Sequence, residues 1–335
     1  MANAVARLSR NDILDGAYIG AIVRSFRSLG VLGSLDRPRT LSYLAARHRL
    51  DAEVLSALLE FVSQRSELIE RTGNMYVRGT EGSAKEDEDC IFGLYLETYW
   101  PNLEQVTGIL KGKIAGATIV DRSSYARAFV GLGRAGFPEI VDVLAQIGAS
   151  DVLDVGCGPG ALLLGVAERN SHFRGWGLDS NPEMCAAARQ RVKEANLEQR
   201  VQIFQGDSLD VIPHDVRDNV TTLTACSVLN EFCTGKKERM VEWLRHAKQV
   251  FPRRVLVVAD YYGELGGNRS SAGYQNAKLH DVIQVVSGQG VPPPDLSGWT
   301  CVYNAAGCTL MHVADIECHL FRRFLHFVSL SSADD

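Results

Sequence analysis

The segment Asp151-Val-Leu-Asp154-Val-Gly156-Cys-Gly158-Pro-Gly160 places three glycines behind a short apolar run and ahead of the helical pattern Leu162, Leu163, Val166, Ala167. A strand, a tight loop and a helix in that order let a ligand approach the backbone where only glycine leaves room. They also offer free N–H groups at a helix start to a carboxylate or phosphate. Because Gly156-Cys-Gly158-Pro-Gly160-Ala161 also fits the loose dinucleotide pattern, the glycines alone do not choose the ligand. The acids at the strand ends narrow the choice. Asp154, two residues before the first glycine, could meet a ligand ammonium. Asp179 ends the run holding Trp176 and Leu178 and can accept both hydroxyls of a ribose. Gly206-Asp207-Ser208 closes the run Val201-Gln-Ile203-Phe204 with a polar pair able to read an adenine edge.

These three motifs, DVGCGPG, LDSNP and QGDSLD, stand in order and at natural spacing, and through them the chain resembles the class I S-adenosylmethionine-dependent methyltransferases. The resemblance implies S-adenosyl-L-methionine as cofactor. Its methionine part would sit on Gly156, Gly158 and Gly160, its ribose on Asp179, and its adenine against Asp207 and Ser208.

Methyl transfer from a sulfonium is a direct displacement, so the protein mainly aligns an acceptor and, where the acceptor is protonated, removes its proton. The acceptor belongs beyond the fourth and fifth strands, near Cys226-Ser-Val-Leu-Asn230-Glu231-Phe232. Related O-methyltransferases carry a His-Asp pair here, and this chain has Asn230 and Glu231 instead. His280, in Lys278-Leu-His280-Asp281, resembles one of two histidines that hold a metal in methyltransferases of the carbon beside a 2-oxo acid carbonyl. With Asn230 in the partner position the donor set is poor, and no metal is expected. Glu97, Glu231, Asp260 and Asp281, with Tyr95, Tyr99, Trp100, Tyr261 and Tyr262, form an acidic and aromatic acceptor set that suits a cation. The expectation is N-methylation of an amino acid, amine or guanidine of specialised metabolism, with Glu231, Asn230 and His280 nearest the chemistry. C-methylation of a 2-oxo acid and O-methylation of a hydroxylated metabolite remain open.

Apolar runs at 151–155, 174–179, 201–205, 220–226 and 255–260 alternate with helical patterns at 160–169, 182–195 and 236–249, and runs at 308–314 and 321–330 suit a closing antiparallel pair. That alternation predicts an α/β fold with a Rossmann-like, doubly wound, mostly parallel seven-stranded sheet over residues 116–335. Residues 1–115 read as a mainly helical, winged-helix-like domain. Its first helix begins near Asn11 and stops at Gly30; Thr40 and Asp51 cap two more, and a hairpin pairs 67–70 with 75–78. In the small-molecule O-methyltransferases that the chain resembles over nearly its whole length, this arrangement serves dimerisation, which implies a homodimer. The other class of function this pattern raises is a DNA regulator or a cofactor-holding protein without transferase activity. Ala52-Glu-Val-Leu-Ser-Ala-Leu-Leu-Glu60 offers no base donors, however, and a net charge of −5 over 335 residues argues against a nucleic-acid partner. Without a run of eighteen apolar residues or a secretory start, neither a membrane partner nor export is expected, and the protein reads as cytoplasmic. Eight cysteines without a CxxC pair fit reduced thiols rather than structural zinc.

Overall fold

The computed structural model describes residues 8–79, 92–128, 138–233, 238–265, 277–316 and 322–331. By its contacts the chain divides into one compact unit up to Glu97 and another from Thr98 onward, so the division falls earlier than the expected boundary at 115. Asn102 gives the physical reason. Its buried side-chain amide donates to the carbonyls of Gly116 (2.8 Å) and Val286 (3.1 Å), which ties the segment after Thr98 to the catalytic unit.

In the first unit, α1 (Arg10–Ser28) starts from a Ser9–Asp12 capping box. Thr40 caps α2 (Leu41–His48) and Asp51 caps α3 (Ala52–Arg65), as their side-chain oxygens predict. A hairpin forms from β2 (Ile69–Thr72) and β3 (Met75–Arg78), its first strand two residues later than the expected 67–70, and the two-residue strand β1 (Arg39–Thr40) adds to β3. Val23, Phe26, Leu44, Leu59, Val62 and Tyr76 make its core. The aromatic stretch before residue 100 is not one regular α-helix. Leu94–Thr98 is a wider π-type turn, and a new helix, Trp100–Glu104, begins with Pro101 in its first turn. Pro101 has no N–H to extend the earlier ladder and fits the start of a helix, so the break falls in front of it.

The second unit holds β4 (Asp151–Val155), β5 (Arg174–Asp179), β6 (Val201–Gln205), β7 (Thr222–Cys226), β8 (Val255–Tyr261), β9 (Thr309–Ile316) and β10 (Arg323–Ser329). They form one sheet in the order β6-β5-β4-β7-β8-β10-β9, parallel from β6 to β8 and antiparallel where β10 joins β8 and β9. The longer helices that follow the first segment of this unit are α4 (122–128), α5 (Pro138–Gln146), α6 (Ala161–Arg169), α7 (Pro182–Glu194), α8 (Glu238–Val250), α9 (Ala277–Val286) and α10 (Leu296–Ala305). Successive strand residues point to opposite faces. Leu153, Val155, Leu223, Leu256 and Val328 therefore pack into one core with α8 and α10, while Val152, Val257, Leu325 and Phe327 join another with α5 and α6. Fully burying each such side chain stabilises the fold by about 1.5–3 kcal/mol. Strand order reverses between β4 and β7, and a cleft is expected where the chain leaves those strands.

Candidate active site

A cleft of about 510 Å³ lies at the carboxyl ends of these strands. The glycine loop forms its floor. Gly156, Gly158 and Gly160 all take positive φ (66°, 51° and 76°), which explains the residue type at each. A Cβ on Gly156 would meet Val228 Cγ2 at 2.4 Å, whereas one on Gly158 would meet nothing within 4 Å, so the loop is open above Gly158. Gly160 caps α6 and does not line the cleft. The expected free loop amides are in part used internally. Gly156 and Cys157 N–H donate to the Leu178 carbonyl and Gly158 N–H to Asp179 Oδ2 at 2.9 Å. The start of α6, at Ala161 and Leu162, remains part of the lining.

Asp154 lines the cleft yet is 3% exposed. Burial pushes its carboxyl up to about 7, against a 2.7 Å hydrogen bond from Thr224 Oγ1 that favours the ionised form. Asp179, at the end of β5, accepts from the backbone of Gly158 and Asn181, and burial raises its pKa against those bonds. Asp207 lies open on the lining after β6. Ser208 is outside the lining, its hydroxyl engaged with Asp210 as the cap of a short 3₁₀ turn.

On the other side stand Glu231, Phe232, Trp243, Tyr125 and Arg122. Glu231 is exposed and belongs to the cleft lining. Surrounding protein raises its pKa, while Arg122 and the Gln289 side-chain amide, which donates to Oε1 at 2.9 Å, pull it down. Phe232 and Trp243 stack at 5.9 Å.

The other residues of the expected acceptor set stand outside this lining. Asn230 is buried, its amide donating to Gln284 Oε1 at 3.1 Å. Gln284 in turn lies 3.3 Å from His280 Nε2, and burial lowers that imidazole to about 4. One neutral imidazole beside two amides does not fit a transition metal, and no metal-assisted step is drawn from it. Asp260, raised by burial to about 7, accepts the N–H groups of Asn230 and Tyr261, so it holds backbone. Asp281 accepts those of Glu264 and Leu265, both at 2.6 Å. Tyr261 is buried with its ring 4.8 Å from that of His280, and Tyr262 is hydrogen-bonded to His326. Glu97 pairs with Arg27 at 2.8 Å inside the first unit, which also holds Tyr95. Tyr99 is buried, and Trp100 Nε1 donates to Glu104.

Arg122 and Tyr125 were not among the expected site residues, because they arrive on α4, ahead of the parallel sheet and outside every motif. The signal was local: Asp121 accepts from Ser124 N–H and hydroxyl in the way of an N-cap, which starts a helix at 122.

The reversed strand order, the glycine loop and the acids after β5 and β6 together define a class I methyltransferase fold. Residues 152–251 match the methyltransferase domain family. A stretch of 62 residues is 42% identical to the ribosomal protein L11 methyltransferase of Desulfotalea psychrophila, covering 18% of this chain and only 20% of that relative. Solved structures resemble the chain over nearly its full length. A mitomycin 7-O-methyltransferase gives a TM-score of 0.74 at 19% identity, covering 95% of this chain and 96% of that one. An O-methyltransferase family protein from Burkholderia thailandensis gives 0.68 at 20%, covering 98% and 100%. A methyltransferase of calicheamicin biosynthesis, in its SAH-bound form, gives 0.64 at 20%, again covering 98% and 100%. At these identities the likeness is one of fold. With the domain match, residues 152–251 are identified as a methyltransferase domain, set in a chain with the class I methyltransferase fold.

Proposed function

We propose that the chain methylates a nitrogen of a small molecule, with S-adenosylmethionine as donor and Glu231 as the group that takes the acceptor's proton. The observation that carries this reading is the charge of the cleft. Of its four acids, we assign Asp154, Asp179 and Asp207 to the cofactor's ammonium, ribose and adenine, which leaves Glu231 for the acceptor. When bound, the sulfonium supplies an electrophilic methyl group. The protein's own part is alignment and proton removal, and a carboxylate whose pKa is raised by its surroundings is the better base. Tyr125, Phe232 and Trp243 offer ring faces to an apolar or cationic acceptor.

A hydroxyl acceptor is the second reading. It is favoured by the full-length likeness to structures named as O-methyltransferases, and Glu231 would serve it in the same way. The DNA-regulator alternative gains no support from α3, which carries Glu53 and Glu60 and no basic residue before Arg65.

Transfer of labelled methyl to a panel of amines, guanidines and hydroxylated metabolites tests both readings. Glu231→Gln should lower kcat on the accepted substrate by about 10²–10⁴-fold and leave S-adenosylhomocysteine affinity unchanged. Wild-type turnover by that variant would reject the role of Glu231. We further propose self-association through α1, where Ile13, Leu14 and Tyr18 are 57%, 57% and 65% exposed. Sedimentation should show a dimer that Ile13→Glu with Tyr18→Glu dissociates; an unchanged sedimentation coefficient would exclude α1 as the contact.

A further inference from the structure

The first unit carries a second hollow, of about 430 Å³, whose lining includes Ser34, Asp36, Arg37, Arg39, Tyr43 and Arg47 and shares no residue with the cleft. The sequence puts the arginines there. In Arg37-Pro38-Arg39 the proline favours extended backbone at Arg37, and residues two apart in an extended run share a side; the run ends as β1. Tyr43 and Arg47, four apart on α2, share one face of that helix. Asp36 is the one acid of the lining among the described residues, and it pairs with Arg78 at 2.9 Å. No described carboxylate pairs with Arg37, Arg39 or Arg47. Arg39 is held by Tyr43 instead, its guanidinium carbon 4.5 Å from the ring centroid. Its Nε is buried without a hydrogen-bond partner, while its terminal nitrogens reach the surface and donate to no described group.

We propose that this hollow binds a small phosphorylated anion, one that carries a diphosphate or triphosphate group. Three guanidinium groups around one hollow repel one another, and in a chain of net charge −5 such a cluster, left without acids, is stabilised by whatever anion fills it. The number of arginines selects the ligand. One fork satisfies a carboxylate, with its two oxygens and single charge. Three forks call for several charges and many acceptor oxygens in a small volume, which is what linked phosphates offer. Ser34, whose hydroxyl lies 2.8 Å from His48 Nε2, adds a polar group to the same lining. A nucleic-acid backbone is the poorer fit, because the arginines line a concavity on β1 and α2 and none of them stands on α3, the helix a winged-helix reader would set in a groove. The site is separate from the methyl-transfer chemistry and does not depend on which acceptor the cleft takes.

Calorimetry with inorganic pyrophosphate provides the test, with S-adenosylhomocysteine present to fill the cleft. Wild-type protein should bind pyrophosphate once per chain, roughly tenfold or more tighter than it binds inorganic phosphate, and its Tm should rise in consequence. Arg37→Gln and Arg47→Gln, both at exposed side chains, should each weaken binding about tenfold to a hundredfold. Each should melt no lower than wild type in phosphate-free buffer, because it relieves repulsion between like charges, and that also shows the variants to be folded. Arg39→Lys should keep part of the affinity, having the charge without the fork. Arg10→Gln, on α1 and outside the hollow, should bind as wild type does. A wild type that ignores pyrophosphate overturns the proposal, as does affinity that survives Arg37→Gln combined with Arg47→Gln. An equal loss in Arg10→Gln would reduce the effect to bulk charge and overturn it too. Duplex DNA that binds more tightly than pyrophosphate, and is lost in the same variants, would replace the small anion with a nucleic-acid backbone.

Discussion

If Asp154 meets the cofactor's ammonium, as proposed, cofactor binding is a proton-releasing event. In the ligand-free cleft its carboxyl titrates at about 7, so at pH 7 roughly half of the molecules carry the proton. An ammonium placed against it favours the ionised form, and the proton leaves. Binding S-adenosylhomocysteine at pH 7 should therefore release about half a proton through this group. If only the ionised carboxylate binds, apparent affinity should weaken roughly tenfold between pH 8 and pH 6, because at pH 6 about nine molecules in ten are protonated. Calorimetry in two buffers of different ionisation heat reads the proton count directly. 5′-Methylthioadenosine, which lacks the ammonium, should release less. Asp179 is shifted in the same direction, so Asp154→Asn supplies the control: it should bind more weakly at pH 8 and lose the Asp154 share of proton release. Equal proton release by wild type and Asp154→Asn would refute the reasoning.

Gln289 can be separated from Glu231. Its N–H lowers the carboxylate's pKa, so Gln289→Leu should raise that pKa and move the acid limb of the kcat profile to higher pH; an unmoved limb at reduced kcat would mean a merely structural role. The glycines divide as well. Gly156→Ala combines a left-handed backbone with a 2.4 Å approach to Val228, and should cost about 1–3 kcal/mol of stability. Gly158→Ala bears the backbone penalty without the clash, so it should melt closer to wild type and chiefly weaken S-adenosylhomocysteine; a larger loss of Tm for Gly158→Ala than for Gly156→Ala would contradict this division.

The cofactor half of the fold was readable because its signals are local. Strands 151–155, 174–179 and 201–205 form at the expected residues, each bounded by the glycine or acid that ends it. The acceptor half was not. Asp260 and Asp281 look like open strand and helix acids, but their oxygens are taken by backbone amides at 230, 261, 264 and 265; apart from the adjacent Tyr261 these partners lie 16 to 30 residues away, where no periodicity encodes them. The pull of burial against a hydrogen bond, which makes Asp154 and Asp260 unusual, depends on the packed surroundings rather than on neighbours in the chain. Arg122 and Tyr125 enter the cleft from a segment that precedes the sheet, where sequence distance hides spatial proximity.

The position of β10 has a consequence for how the protein is made. It lies inside the sheet, between β8 and β9, although it comes after both in the chain and is the last of the described strands to be synthesised. Until it arrives, β8 has one flank of its backbone unpaired, and a strand flank of that kind recruits other chains. The nascent protein is thus most prone to aggregate late in synthesis, just before residue 323 emerges. A frameshift or stop codon there should yield insoluble product rather than a weakened enzyme.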